Sequence, residues 1–340
     1  LTIISAADEL LDTDIYLDLG NVVGVNVMLK CEGFNFAGSV KLRTAVSMVT
    51  EGIRSGVITD TTTLVESSSG NLGVALSVVA AARSLRFVCV TDPKCSPTTM
   101  KLMKALGSEV QVVDGPDPSG SYLAARKRRV RELCERHDDY VCLDQYENPA
   151  NWLAHYEITA PLIAKQFPDL DVLFVGAGTG GTLAGCARFF RENFGHVRIV
   201  AVDSVGSVNF GMPSGPRYIP GLGASEAMPF VVDGLAHEVV RVPETETVRM
   251  CRRLARGGVL AGGSTGTVVS GVERWFARQE AGRPLTAVAI APDLGDRYLD
   301  TLYDDDWVAA TYGLTASDTD EDPLTGPATP AGQAGEERQR

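Results

Sequence analysis

Short apolar runs alternate with longer amphipathic segments through most of this chain. TTTLVES leads into NLGVALSVVAAARS, RFVCVTD into PTTMKLMKAL, EVQVVD into SYLAARKRRVRELCERH, and YVCLDQ into ANWLAHYEITAPLIAKQF. DVLFVGAG, TLAGCARFFREN and VRIVAVDS repeat the pattern. The short runs read as strands buried on both faces, and the longer ones carry apolar residues at helical spacing. Parallel sheets with helices on both sides follow, so the expected class is α/β. Two more helices, ETETVRMCRRLARGG and STGTVVSGVERWFARQ, and a strand, TAVAIAPD, complete the regular part.

Between Asp203 and His237 the pattern lapses into a Gly- and Pro-rich stretch too long for an ordinary connection, which marks it as a functional loop. Beyond Trp307 the chain turns to LTASDTDEDPLTGPATPAGQAGEERQR, and residues 314–340 are expected to form a disordered acidic tail. A length of 340 residues allows two domains or one large α/β unit.

Charge and composition remove several function classes. The formal net charge of -12 opposes binding to a nucleic-acid backbone. No apolar run reaches the length of a membrane span, and LTIISAADELLDTD lacks the parts of a signal peptide, so a cytoplasmic protein is expected. The seven cysteines include no C-x-x-C pair and the four histidines no metal-binding spacing. Reduced thiols and no metal are therefore expected.

Four segments carry candidate chemistry. In NFAGSVKLRTA, Gly38 and Ser39 offer a turn and a helix N-cap, which puts Lys41 in the first helical turn. The positive end of a helix and burial both lower a lysine's pKa, as a Schiff-base amine requires. ESSSGNLG, between strand and helix, presents hydroxyls, an amide and backbone N–H groups to an anion. GAGTGG fits the dinucleotide pattern G-x-G-x-x-G, with Asp203 after the next strand as the acidic partner. A single cofactor phosphate would satisfy that loop equally well. Finally, AGGSTGTVVS sets a hydroxyl at a glycine-framed helix entry, where it can bond a heterocyclic nitrogen.

In this order the segments resemble the cysteine synthase and cystathionine β-synthase family of pyridoxal-phosphate enzymes, which share the tryptophan synthase β-subunit fold. The family's N-P-x-G-S-x-K-D-R stands here as NFAGSVKLR, T-S-G-N-T-G as SSGNLG, G-T-G-G-T as GTGGT and G-x-S-x-G as GGSTG. The resemblance implies two three-layer αβα domains. A smaller mobile one covers residues 1–148, with an early segment near 12–38 crossing to the other, and a larger one covers 149–313. It also implies a homodimer. Lys41 would be the Schiff-base lysine, Gly178, Thr179, Gly180, Gly181 and Thr182 the phosphate cup, and Asn71 the partner of the pyridine 3-hydroxyl. Ser264 would meet the pyridine nitrogen. Ser68, Ser69, Gly70 and Gln145 would hold the substrate's α-carboxylate.

Departures from the family pattern narrow the reaction. Phe36, Ala37, Leu42 and Leu72 replace residues of the cysteine synthase motifs. SSGNLG, VDSVGS, GLGAS and GDRYLDTLYDDDW are more similar to the branch that joins O-phospho-L-serine to L-glutamate, giving N-(2-amino-2-carboxyethyl)-L-glutamate for 2,3-diaminopropionate formation. Such substrates need cations, and Arg217 in GPRYIPG is the candidate. The run Arg126 to Arg129 reads as an exposed helix face. A sulfide-using cysteine synthase and a threonine or serine dehydratase are the alternative activities, and a non-catalytic relic would lack Lys41.

Overall fold

A computed structural model describes residues 3–320, apart from residues 12, 13, 25, 119, 233 and 281. Two sheets organise the chain. The larger has six strands in the order β1-β2-β10-β7-β8-β9, and the smaller has four in the order β5-β4-β3-β6.

The chain begins in the larger sheet. β1 (Tyr16–Asp18) and β2 (Met28–Cys31) flank a helical turn, α1 (Gly20–Val23), and pair antiparallel. Helix α2 (Lys41–Arg54) then leads into the smaller, fully parallel sheet, built from β3 (Thr63–Ser67), β4 (Arg86–Thr91), β5 (Glu109–Val112) and β6 (Tyr140–Cys142). Its crossovers are α3 (Asn71–Ala82), α4 (Pro97–Ala105) and α5 (Tyr122–Arg136). Helices α6 (Ala150–Ala154) and α7 (Ala160–Gln166) carry the chain back. There β7 (Val172–Gly176), α8 (Gly181–Asn193), β8 (Arg198–Ser204), β9 (Glu238–Val242), α9 (Glu244–Arg256), α10 (Gly263–Phe276) and β10 (Ala287–Ala291) complete the larger sheet. Strand β10 pairs parallel with both β2 and β7.

Alternation along the strands explains why their runs are continuously apolar. On β7, Val172 and Phe174 face a core shared with α9 and α10, whereas Leu173 and Val175 face one shared with α7 and α8. In β4, Phe87 and Cys89 pack toward α2 and α3, and Val88 and Val90 toward α5. Each face needs a helical cover, hence three layers around each sheet. No helix among the described residues is long and apolar enough to cross a membrane.

Several expectations need correction. ANWLAHYEITAPLIAKQF is not one helix, because a π-helical turn, His155–Thr159, separates α6 from α7. Residues 314–320 are not disordered: Leu314 packs against the Val248, Cys251 and Leu302 cluster, and α12 (Ala316–Asp320) follows α11 (Asp305–Tyr312). Residues 321–340 of the expected tail lie outside the described residues. Arg126 is not on an exposed face; it turns inward and pairs with Asp92 at 3.2 Å, while Arg128 alone of the run is exposed.

Candidate active site

The loops that leave the C-terminal ends of β3, β7 and β10 meet in one place, as ligand sites of α/β sheets do. Lys41 opens α2 there. Its turn is fixed by backbone rather than by the expected Ser39 cap. The Val40 N–H donates to Pro292 O at 2.7 Å, Gly38 takes φ +64°, and the Ser39 hydroxyl is buried without a partner among the described residues. Arg297 secures the same turn, donating to Ala37 O at 2.8 Å and Gly38 O at 3.3 Å. Lys41 Nζ reaches Thr179 Oγ1 at 3.3 Å. Burial lowers its pKa to about 8, against an opposing pull from Glu66.

Glu66 lies at the end of β3, buried, and accepts from the Ser67 N–H at 2.8 Å and the Gln145 N–H at 3.2 Å. Burial pushes its carboxyl up to about 8, although those two hydrogen bonds act the other way. A raised carboxyl pKa means the folded protein holds a proton that the unfolded chain has released. This stabilising contribution is complete below pH 4.5 and is lost as pH rises through 8. Cofactor-free Glu66→Gln protein is expected to show a flatter decline in urea midpoint between pH 5 and 8 than the parent protein. Parallel declines would refute a titrating Glu66. The Lys41 contribution has the opposite sign and falls in a separate window, from about 8 to 10.5.

In the SSGNLG loop, Ser68 Oγ accepts from the Gly70 N–H at 3.3 Å and the Gly73 N–H at 2.9 Å, so this buried serine caps the turn from inside. Ser69 and Gly70 stay half-exposed at the mouth. Gln145 braces the loop from below, its Nε2 donating to Ser67 O at 3.0 Å. Leu72 joins Leu42 in the core between α2 and α3, so two departures from the family pattern pack against one another's neighbours.

Asn71 starts α3 and reaches across to the larger sheet. Its Nδ2 donates to Asp293 Oδ2 at 3.2 Å, and its Oδ1 accepts from Arg297 Nη2 at 2.6 Å. Asp293 also takes the Thr265 N–H at 3.1 Å and the Tyr298 hydroxyl at 2.6 Å. Asp293, Arg297 and Tyr298 are thus site residues that sequence reading passed over. Their signal is the segment PDLGDRYLD: Asp293 closes the strand-like TAVAIAPD, and Arg297 and Tyr298 lie in GDRYLDTLYDDDW, which reads only as a variant of the family pattern. Ser264 lies buried in the first turn of α10, close enough to Gly221 that a Cβ there would stand 2.1 Å from its Oγ.

The GTGGT cup has glycine where no side chain fits. A Cβ on Gly178 would stand 2.5 Å from Gly221 O, and one on Gly181 would stand 2.1 Å from Asn151 Oδ1. Gly180 takes φ +87° as the N-cap of α8. The loop after β8 is laced over this cup: Asn209 Nδ2 donates to Gly178 O, and the Gly223 N–H to Ala177 O. Arg217 braces that loop through Leu222 O and Ser225 Oγ, both at 3.1 Å. Asp203 is buried at the strand end and bonds the Ser204 N–H following it.

A further polar group lies behind the substrate loop. Arg126 and Tyr146 are buried together, and the hydroxyl of Ser67 lies beside the Tyr146 phenol. Among the described residues, Ser67 Oγ has only the Tyr146 phenol beside it, and Thr91 Oγ1, on the other face of the sheet, only the Cys95 thiol.

A buried lysine, a glycine cup at a helix N-terminus and a hydroxyl loop, brought together where the two sheets meet, suit an enzyme that holds a phosphate-bearing cofactor. The chain belongs to the pyridoxal-phosphate dependent enzyme family, whose model matches residues 15–293. It is 42% identical over 286 residues to the N-(2-amino-2-carboxyethyl)-L-glutamate synthase of Cupriavidus metallidurans, covering 83% of this chain and 84% of that one. The protein of that name from Ralstonia nicotianae is also 42% identical, with the same coverage. Among solved structures, the O-acetylserine dependent cystathionine beta-synthase of Helicobacter pylori superposes with a TM-score of 0.81. It is 29% identical and matches 88% of this chain and 99% of its own.

The residues present fit pyridoxal phosphate. The α8 N-terminus, glycines that let the cup turn at φ +87° and pack closely against Gly221 and Asn151, and the Thr179 and Thr182 hydroxyls suit a phosphate dianion. Lys41, with its lowered pKa, suits covalent attachment.

Proposed function

We propose that this enzyme joins O-phospho-L-serine to L-glutamate, releasing inorganic phosphate and N-(2-amino-2-carboxyethyl)-L-glutamate. The name shared by two relatives at 42% identity supports the pair of substrates. The observation that carries the choice of leaving group is the buried group of Arg126, Tyr146 and Ser67. A phosphate ester is larger and more charged than an acetyl ester, and a guanidinium with nearby hydroxyls is what it needs.

Bound pyridoxal phosphate supplies the electron sink for breaking bonds at the substrate's α- and β-carbons. The chain's residues do the rest. Gly178 to Thr182 would hold its phosphate, Asn71 would meet its 3-hydroxyl, and Ser264 would meet its ring nitrogen without a formal charge. Ser68, Ser69, Gly70 and Gln145 hold the α-carboxylate of the substrate. Lys41 would take the substrate's α-proton, and burial holds its free amine at a pKa of about 8, suited to proton transfer near neutral pH. Arg126 steadies the phosphate as the Cβ–O bond breaks and the electron pair departs with it. Arg217, whose Nε is buried without a hydrogen-bond partner among the described residues, is the second substrate cation we assign. In this reading residues 1–148 form the smaller domain and close over the substrate, the early strands crossing to the larger domain of residues 149–313. The working unit is a homodimer.

The test is product formation by the cofactor-loaded enzyme. Phosphate release from O-phospho-L-serine should require L-glutamate and match glutamate consumption one for one. Faster reaction of O-acetyl-L-serine with sulfide would transfer the assignment to cysteine synthesis. Arg126→Met should raise the KM for O-phospho-L-serine at least tenfold while changing that for O-acetyl-L-serine by less than about threefold. Equal changes would remove Arg126 from the leaving-group role.

A further inference from the structure

Behind the two threonines of the cup runs a closed polar circuit built from α2, α6, the π-helical turn and α8. Asn151 and His155 are both fully buried. Asn151 Nδ2 donates to Gln145 O at 2.6 Å and to Thr179 Oγ1 at 3.2 Å, while Thr44 Oγ1 donates to Asn151 Oδ1 at 3.2 Å. His155 Nδ1 lies 3.0 Å from Thr159 Oγ1, and its Nε2 lies 3.2 Å from Thr182 Oγ1 and 3.4 Å from Thr44 Oγ1. The circuit sits on a π-helical turn, where Gly185 leaves no room for a side chain against Trp152 O and the His155 Cβ.

Counting protons fixes the direction of every bond. A carbonyl only accepts, so the Gln145 contact sets the orientation of the Asn151 amide. Asn151 Oδ1 then needs a donor, and the Thr44 proton supplies it. Thr44 has no second proton for the imidazole, so it accepts from His155 Nε2. Burial together with the charges of Arg43 and Lys41 keeps the ring neutral, with a single proton. That proton is therefore on Nε2, shared between Thr44 and Thr182, and Nδ1 accepts from Thr159. Thr179 likewise accepts, from Asn151 and from Lys41.

We propose that Asn151 and His155 are positioning residues that set the polarity of the cup. By occupying lone pairs of Thr179 and Thr182 from behind, they leave both hydroxyl protons to point at the cofactor's phosphate. This rests on the reading that Gly178 to Thr182 hold that phosphate.

Cofactor-free protein titrated in parallel with pyridoxal phosphate and with pyridoxal, which lacks the phosphate, separates the two roles. His155→Asn is expected to weaken pyridoxal phosphate about tenfold, the size of one lost bond to a charged group, and to leave pyridoxal unchanged. His155→Gln, whose amide nitrogen can occupy the place of Nε2, should restore binding to within about threefold. In a Thr182→Val background, His155→Asn should add no further loss. An equal loss for both ligands, or full additivity with Thr182→Val, would overturn the proposal and leave His155 a packing residue. Nitrogen NMR showing the His155 proton on Nδ1 would overturn it as well. Should Thr182→Val alone weaken both ligands equally, the cup assignment fails, and the relay falls with it.

Discussion

Lys41→Ala is expected to cut turnover by ~10³-fold or more while leaving the fold intact. Two functions disappear together: covalent attachment of the cofactor and the base that takes the α-proton, and positioned proton transfer alone contributes about 10²–10⁴-fold. Stability should not suffer. The folded protein holds this amine at a pKa near 8 because burial disfavours its charge, so below pH 8 the ammonium opposes folding. Removing it relieves that cost, and the thermal midpoint at pH 7 should stay level or rise. The decisive measurement is kcat for the cofactor-loaded variant beside its melting curve. Turnover within tenfold of the parent would dismiss Lys41 as the reacting amine, and a collapsed melting curve would show that its role is structural.

The second large effect concerns stability and lies two residues away. Arg43 Nε donates to Glu32 Oε2 at 2.7 Å, and Lys30 Nζ lies 3.5 Å from Glu32 Oε1 and 3.0 Å from Asp14. Lys30, Glu32 and Arg43 are all 2% exposed or less. Taking one carboxylate away from two buried cations typically costs about 3–5 kcal/mol. Glu32→Ala should lower the unfolding free energy by that amount in urea titrations. Because Arg43 belongs to the helix that Lys41 opens, cofactor affinity should fall with it. A loss below about 1 kcal/mol would mean that relaxation or water admits the two cations at little cost.

Sequence reading found the parts whose signal is local. Strands β3, β4, β7, β8 and β10 are buried on both faces and mostly apolar, so their runs announce themselves. Strand β2 was passed over because Lys30 interrupts MLKC and Glu32 follows it; a buried ion pair looks like a solvated surface until its partner is known. The inward turn of Arg126 is hidden for the same reason. Nothing in RKRR distinguishes the residue facing Asp92 from the exposed Arg128 beside it. The motif loops were legible because glycines and hydroxyls cluster there. By contrast, Asn151 and His155 gain their meaning only from contacts with Thr44, Thr179 and Thr182, which are distant along the chain.

The pairing of β2 with β10 also governs the order in which the molecule can be built. Met28 to Cys31 align with Val288 to Ala291, so on the ribosome the first strands must wait for nearly the whole described chain to emerge. The four-stranded sheet, contiguous from Thr63 to Cys142, has no such wait and can close on its own nascent contacts. During synthesis, β1 and β2 therefore have only each other to pair with, and the free edge of β2 is exposed to mispairing until β10 arrives. Chaperone demand should be set by that interval, and a circular permutant that brings Cys31 and Ala287 close in sequence should refold faster than the natural order.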